Sequence, residues 1–208
     1  IGFRFSKVIT NIIAVLCGRE IIATGEANDS ETAMAKSLSE LIERSALLKF
    51  GSQYEAKTSN GWAAHPNRNQ AQLNATLELI ERDAVLAQWY TKTPFLQIEH
   101  QELTSRVLDW VNAELSRSEF PNLKILVSTR GLGPAVTCIL TNHQGNGVSA
   151  HSTRLNLEDT ILNSISEACR VAHASIRKAH WKDTFILKNF EEGEIDPNAH
   201  ALYYAYHE

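Results

Sequence analysis

Cysteine is scarce and badly placed for either disulfide or zinc chemistry. Cys17, Cys138 and Cys169 are odd in number and far apart, with no Cys-x-x-Cys spacing. That excludes a disulfide framework and a zinc ribbon, and it fits a reducing cytoplasm. His143, His151, His173 and His180 show no His-Glu-x-x-His or other zinc spacing and read as surface or satisfied core histidines. No apolar run reaches about 18 residues, so no helical membrane span is expected. The stretch Val8 to Cys17 follows Arg4 and Lys7 as a signal peptide would. Thr10 and Asn11 interrupt it, however, and no small-residue cleavage site follows, so a strand is the better reading. An excess of positive charge is also missing. The formal net charge is −4, which advertises no polyanion-binding surface and makes nucleic acid an unexpected partner. Finally, neither Gly-x-x-x-x-Gly-Lys-Ser/Thr nor Gly-x-Gly-x-x-Gly occurs, so a phosphate held in a glycine cradle is excluded.

What is present is ordinary in bulk and unusual in one detail. The 208 residues suffice for a self-sufficient core, and no low-complexity linker marks an internal boundary, so one domain over 1–208 is expected. The detail is a duplication. Residues 40–46 read Glu-Leu-Ile-Glu-Arg-Ser-Ala and residues 78–84 read Glu-Leu-Ile-Glu-Arg-Asp-Ala. It covers one helix and its approach, which is a half-repeat and not a solenoid array.

The apolar pattern places both copies on helices. Ile12 to Leu16 and Ile21 to Ala23 flank Cys17-Gly18-Arg19-Glu20 as a hairpin would. A helix start at Asn28-Asp29-Ser30 leads through Ala33, Leu38, Leu41, Ile42, Ser45 and Leu48 to Phe50, with Gly51 as its stop. Lys57 to Ala64 reads as a short strand and a turn centred on Asn60-Gly61. After His65-Pro66-Asn67 a long helix is expected from Arg68 to Tyr90, with Leu73, Leu77, Ile80, Ala84 and Ala87 inward. Leu103, Val107, Val111 and Leu115 predict a third helix and Leu157 to Ala179 a fourth. Strands are expected over Lys124–Ser128 and Ala135–Thr141, a turn at His143–Gly147, and an acidic surface loop at Glu191–Glu194.

Two readings of the duplicated element compete. In the plain one, Glu40 with Arg44 and Glu78 with Arg82 are i, i+4 ion pairs on solvated helix faces, worth about 0.3–0.5 kcal/mol each. In the functional one, Glu40, Glu43, Glu78 and Glu81 aim four carboxylates from two neighbouring helices at one cleft. Such a group repels itself unless cations lie between, and hard cations such as Mg2+ and Ca2+ prefer oxygen ligands. Leu41-Ile42 and Leu79-Ile80 would seat the helices in the core and draw the glutamates toward the packed side. Arg44 and Arg82 could balance charge there or meet phosphate oxygens. The turn Thr58-Ser59-Asn60-Gly61 either is a plain Asn-Gly turn or approaches a ligand's sugar or base. Cys138 reads as inert packing, and Trp62, Trp89, Trp110 and Trp181 as core or interface anchors.

These stretches resemble the YcaO family. The resemblance rests on Thr24-Gly25-Glu26 leading to Ser37-Leu38-Ser39-Glu40-Leu41-Ile42-Glu43-Arg44, and on Ser59-Asn60-Gly61-Trp62-Ala63-Ala64 followed by Glu78-Leu79-Ile80-Glu81-Arg82-Asp83-Ala84. A weaker third stretch is Leu162 to Arg170 with Glu167. It implies an α+β fold: a mixed, largely antiparallel sheet against helices. It implies ATP and Mg2+ as cofactors, with the metal on Glu40, Glu43, Glu78 and Glu81. Ser37, Arg44, Ser59, Asn60, Arg82, Glu167 and Arg170 would contact the nucleotide.

The implied activity is modification of peptide backbone amides by phosphorylation of the amide oxygen, of the azoline-forming cyclodehydratase type. Alternatives within the resemblance are a non-catalytic scaffold or recruitment subunit, and a thioamide-forming or methylthiolation-accessory protein. A peptide or protein substrate, a leader-peptide-binding partner and a homodimer are implied too. Two departures stand out. Asn163 and Arg170 occupy places where the family commonly carries a basic residue and a glutamine. The chain also shows neither the family's further C-terminal stretch nor its full N-terminal lead-in.

Overall fold

A computed structural model of the chain describes residues 8–16, 18–55, 58–115 and 118–178. Cys17, Lys57, His180, Trp181 and the acidic loop lie outside the described residues, as does the side chain of His173. The chain divides into two compact units, Ile1–Leu79 and Ile80–Glu208, with the division falling inside a continuous helix.

The first unit begins with strands β1 (Val8–Leu16) and β2 (Arg19–Ala27), antiparallel with Leu16 opposite Arg19. Such a two-residue connection needs a left-handed backbone, and Gly18 supplies it at φ 72°. Both strands run about four residues past the apolar core of the sequence pattern. Helix α1 (Ser30–Phe50) covers one face of this hairpin. It starts where expected: the Asp29 carboxylate accepts the Thr32 N–H at 2.8 Å.

The fit of helix to hairpin depends on small residues. Ala33 and Ser37 are fully buried, and a Cβ on Gly25 would run into the Ala33 carbonyl and lie 2.6 Å from the Ser37 backbone nitrogen. Glycine is therefore a steric requirement there. Ser37 donates its hydroxyl to the Thr10 carbonyl at 2.7 Å, tying helix to strand. The Leu-Ile pairs do not seat the helices as expected. Ile42 is 57% exposed and Leu79 52%, while Leu41 and Ile80 are half-buried. Adjacent helical residues point about 100° apart, so only one of each pair can face inward.

Gly51 differs from expectation in kind. Its backbone is right-handed (φ −55°), and the chain continues into a 3-10 turn over Gly51–Tyr54. The left-handed stop is Glu55, at φ 53°. Residues 62–66 form no strand; Asn60-Gly61 is a turn, closed by the Trp62 N–H on the Ser59 carbonyl at 2.9 Å. Helix α2 (Arg68–Thr91) then starts on Asn67, whose Oδ1 accepts the N–H groups of Asn69 and Gln70.

The second unit holds the end of α2 and a four-stranded antiparallel sheet in the order β3 (Leu96–Ile98), β4 (Asn122–Val127), β5 (Ala135–Thr141), β6 (Gly147–Thr153). Helices α3 (Ser105–Leu115) and α4 (Leu157–Lys178) close one core with one face of it. Val107, Ile125, Val136, Cys138, Leu140 and Ile165 are all at most 2% exposed in that core. In the loop between β4 and β5, Gly131 lies close to Ala84 of α2, and the Ser128 hydroxyl donates to the buried Gln88 at 2.6 Å.

Candidate functional site

The first unit gathers three of the four glutamates of the duplicated element. Glu40 and Glu43 lie one turn apart on α1, and Glu78 lies on α2. The segment between the helices reaches both sides. The Gly61 N–H donates to Glu78 Oε2 at 3.2 Å, and the Ala64 N–H donates to Glu43 Oε1 at 2.8 Å. Gly61 carries φ 77°, and a Cβ there would lie 3.0 Å from the Leu79 side chain, so the turn can lie this close to α2 only with glycine. Glu40 is held on both oxygens: Oε2 accepts the Thr24 N–H at 2.6 Å and Oε1 pairs with Arg44 at 2.6 Å.

The electrostatics show how near these groups are. The Glu43 carboxyl is held above the ordinary carboxylate range. Burial is the main cause, the negative charges of Glu78 and Glu40 add to it, and the Ala64 N–H and Arg44 oppose it. Three carboxylates that repel one another are the donor type a hard cation takes. Yet among the described residues no three His, Cys, Asp or Glu side chains form a ready metal cage. Glu40, Glu43 and Glu78 are turned onto backbone N–H groups, and cation binding would exchange those bonds for metal–oxygen bonds.

Beside Glu43 a cavity of about 520 Å³ opens between the C-terminal half of α1 and the N-terminal half of α2. Five alanines line it, with Trp62 and Tyr54 as aromatic walls and Glu43, Arg68 and Gln72 as polar ones. Nothing in the sequence pattern pointed to it.

A profile of a family described as YcaO cyclodehydratase, ATP- and Mg2+-binding, matches residues 49–208. The chain belongs to the YcaO family. Its fold is similar to that of YcaO from Methanopyrus kandleri bound with AMPPCP and Mg2+, at TM-score 0.69 and 13% identity, over 84% of this chain and 61% of that one. This chain thus spans about three-fifths of the archaeal protein's length. The heterocyclase TruD matches at TM-score 0.51 and 21% identity over 57% of this chain and 18% of its own. A chain of the Escherichia coli microcin synthetase McbBCD complex with pro-MccB17 matches more weakly, at TM-score 0.49 and 17% identity over 89% and 43%. At these identities the likenesses show the fold alone. No curated protein matches the chain.

In this YcaO chain the remaining site residues fall as follows. Ser37 is fully buried, and its hydroxyl is engaged by the Thr10 and Ala33 carbonyls, so the structure gives it a packing role. Ser59 and Asn60 form the turn beside Glu78, with Asn60 exposed. The other site residues belong to the second unit. Glu81 is buried to 8% exposure and stands 3.8 Å from Arg82. Arg170 stands 4.0 Å from Glu167 on α4. Asn163 braces Glu167 at 3.1 Å and also donates to the Ser152 hydroxyl at 3.0 Å.

Of the two readings open to it, surface or satisfied core, His151 takes the second. Its Nδ1 lies 2.8 Å from the Thr137 hydroxyl, and its pKa is lowered to about 4 by burial, with the Arg82 charge adding to the effect. Cys138 is as inert as expected: burial pushes its thiol up to about 12, and Ser164 lies 2.8 Å from its sulfur. Trp62 lines the cavity, Trp110 packs against the core of the second unit, and Trp89 is 74% exposed.

Proposed function

We propose that this chain is the nucleotide-binding part of an enzyme that uses ATP and Mg2+ to phosphorylate the oxygen of a peptide backbone amide. The observation that carries the reading is Glu43, a half-buried carboxyl under the repulsion of Glu78 and Glu40. That arrangement costs stability in the metal-free chain, and a bound cation would reverse its sign. Membership of an ATP- and Mg2+-binding family and the fold shared with a YcaO solved with AMPPCP and Mg2+ support it.

Glu40, Glu43, Glu78 and Glu81 would hold the metal. When bound, Mg2+ supplies neutralisation of the polyphosphate charge. Arg44 and Arg82 would bind phosphate oxygens, Arg170 and Glu167 would contribute from α4, and Ser59 and Asn60 would contact the nucleoside. In the cyclodehydratase form of the reaction, a Cys, Ser or Thr side chain adds to the preceding carbonyl carbon. The resulting oxyanion takes the γ-phosphoryl group, and ADP departs. Phosphate then leaves with the former amide oxygen, the nitrogen loses its proton, and an azoline ring remains. An amide oxygen is a poor leaving group and a phosphate a good one, so positioning and charge neutralisation carry the catalysis.

A leader-peptide-binding partner, a homodimeric state and a cytoplasmic location belong to the same proposal. Among the described residues, no helix is long and apolar enough to cross a membrane.

The test is calorimetric titration with a non-hydrolysable ATP analogue, with and without Mg2+. Binding that needs Mg2+ and falls by at least about tenfold in a Glu78→Ala, Glu81→Ala variant supports the reading. Unchanged binding in a folded variant refutes it. A second reading, a non-catalytic member, is favoured by Asn163, a neutral residue where the resemblance expects a base; a thioamide-forming member is the alternative enzyme. Product mass separates the outcomes: ring closure loses about 18 Da, oxygen-to-sulfur exchange adds about 16 Da, and a scaffold yields neither.

A further inference from the structure

We infer that the outward face of the last two turns of α2, carried by Leu86, Trp89 and Tyr90, is where a second copy of this chain docks, helix against helix and antiparallel, about a two-fold axis. The inference deepens the homodimeric state proposed above by assigning it a face. It begins with how α2 is held in the second unit. Three hydrogen bonds on the buried Gln88 fix the rotation of the helix. Its Oε1 accepts from the Ser128 hydroxyl at 2.6 Å and from the Thr129 N–H at 3.2 Å, and its Nε2 donates to the Pro94 carbonyl at 2.6 Å. Ala84, one turn earlier, is fully buried on the same side. Leu86, Trp89 and Tyr90 stand at i, i+3 and i+4, so they share the other side and cannot roll inward. They are 48%, 74% and 78% exposed.

The residue types point to protein association. The sequence leaves Trp89 two readings, core or interface anchor, and its exposure removes the first. Trp and Tyr are the side chains on which interfaces concentrate their binding energy. At these exposures the two rings bring on the order of 300 Å² per copy to a contact, against roughly 800 Å² per partner in a standard interface. Leu86 and the charged ends of the face add to that, which suits a dimer that dissociates in the micromolar range rather than an obligate one.

Charge selects a second copy as the occupant. Asp83 lies exposed at one end of the face. Lys92, just past the end of the helix, and Arg130, whose Nε donates to the Thr93 hydroxyl at 3.3 Å, lie exposed at the other. None of the three forms an ion pair among the described residues. A face that is acidic at one end and basic at the other becomes its own complement after a half-turn, which is what an isologous interface requires. With the axis at the level of Ala87 and Gln88, Asp83 of each copy meets Lys92 of the other, and Leu86 of each packs on Trp89 of the other.

The test is analytical ultracentrifugation of the full chain over a concentration series, after circular dichroism confirms folding of each variant. The wild type is expected to dimerise, and Trp89→Ala to weaken dimerisation by about tenfold or more. Asp83→Lys and Lys92→Asp each set like charges against one another in a homodimer, so each is expected to stay monomeric where the wild type pairs. Mixed in equal amounts, the two variants are expected to pair with each other, because the mixed dimer joins opposite charges at both ends. A misfolded variant or a different occupant of the face would not give that rescue.

If the wild type dimerises, a mixture that fails to pair, or a dimer that Trp89→Ala leaves at full strength, overturns the inference and moves the homodimer to another face. A wild type that stays monomeric removes this face and the homodimeric state together, while the nucleotide titration still judges the catalytic reading by itself. A carbodiimide cross-link from Asp83 to Lys182 or Lys188 within one monomer assigns the face to the chain's own C-terminal residues and overturns the inference too.

Discussion

Acidification should unfold this protein partly through one imidazole. His151 titrates at about 4 in the folded chain, against an ordinary value of 6.5. Its folded-state pKa is depressed, so the unfolded chain takes up the proton first as pH falls. Stability is intact above pH 6.5 and declines between 6.5 and about 4. At 1.36 kcal/mol per pH unit, the full window is worth about 3 kcal/mol. The ring is half-buried, and solvent reaching it lowers the realised loss to about 1–2 kcal/mol. Thr137, 2.8 Å from Nδ1, fixes the ring, and the Arg82 charge opposes protonation. Urea unfolding of the wild type and His151→Gln at pH 7.5 and 4.5 reads the effect. The packing lost in the variant is the same at both pH values and cancels. The wild type's advantage should therefore shrink by about 1–2 kcal/mol at pH 4.5. An advantage equal at the two pH values would refute the reasoning.

Other consequences follow from the same geometry. Gly25→Ala places a methyl group against the Ala33 carbonyl and Ser37, and should cost about 3 kcal/mol, read as a drop in melting temperature. Ser37→Ala removes the hydroxyl's bond to the Thr10 carbonyl and should cost about 1 kcal/mol by the same measurement. For Glu43 the sign is opposite to that of an ordinary paired carboxylate. Its raised pKa means that stability falls as pH rises from its unfolded value of 4.5 through the folded one. Glu43→Gln should thus raise the melting temperature of metal-free protein at neutral pH while weakening Mg2+-dependent nucleotide binding; a lowered melting temperature would contradict the charge argument. Cys138 should resist thiol reagents in the native protein at pH 8 and react once it is unfolded.

Much of the fold can be read from periodicity. The helices starting at Ser30, Arg68 and Leu157, and the strand Ala135–Thr141, follow from apolar spacing and capping residues, because those signals act within one or two turns. Strand β6, Gly147–Thr153, escapes because Ser149, Ala150, Ser152 and Thr153 are small or polar; pairing with β5 makes it a strand, and its own composition does not. Strand β3 is three residues long and carries too little pattern to be seen.

The duplicated Glu-Leu-Ile-Glu-Arg segments were sufficient by themselves to nominate the carboxylates, since residue type and helical phase are local properties. Which atoms those carboxylates meet was decided only in three dimensions. Glu43 meets the Ala64 N–H 21 residues away, and Glu78 meets the Gly61 N–H 17 residues away. Ser37 shows the same limit from the other side. The family resemblance implies a ligand contact for it, but in the folded chain its hydroxyl bonds the Thr10 carbonyl where the hairpin approaches closely at Gly25. Burial of Glu43 and His151, and with it their shifted titration, depends on long-range contacts that no local pattern encodes. The sequence alone determined the helices, most of the strands and the chemistry on offer; the tertiary structure decided the remaining strands and which side chains lose water, because strand pairing and desolvation depend on distant neighbours.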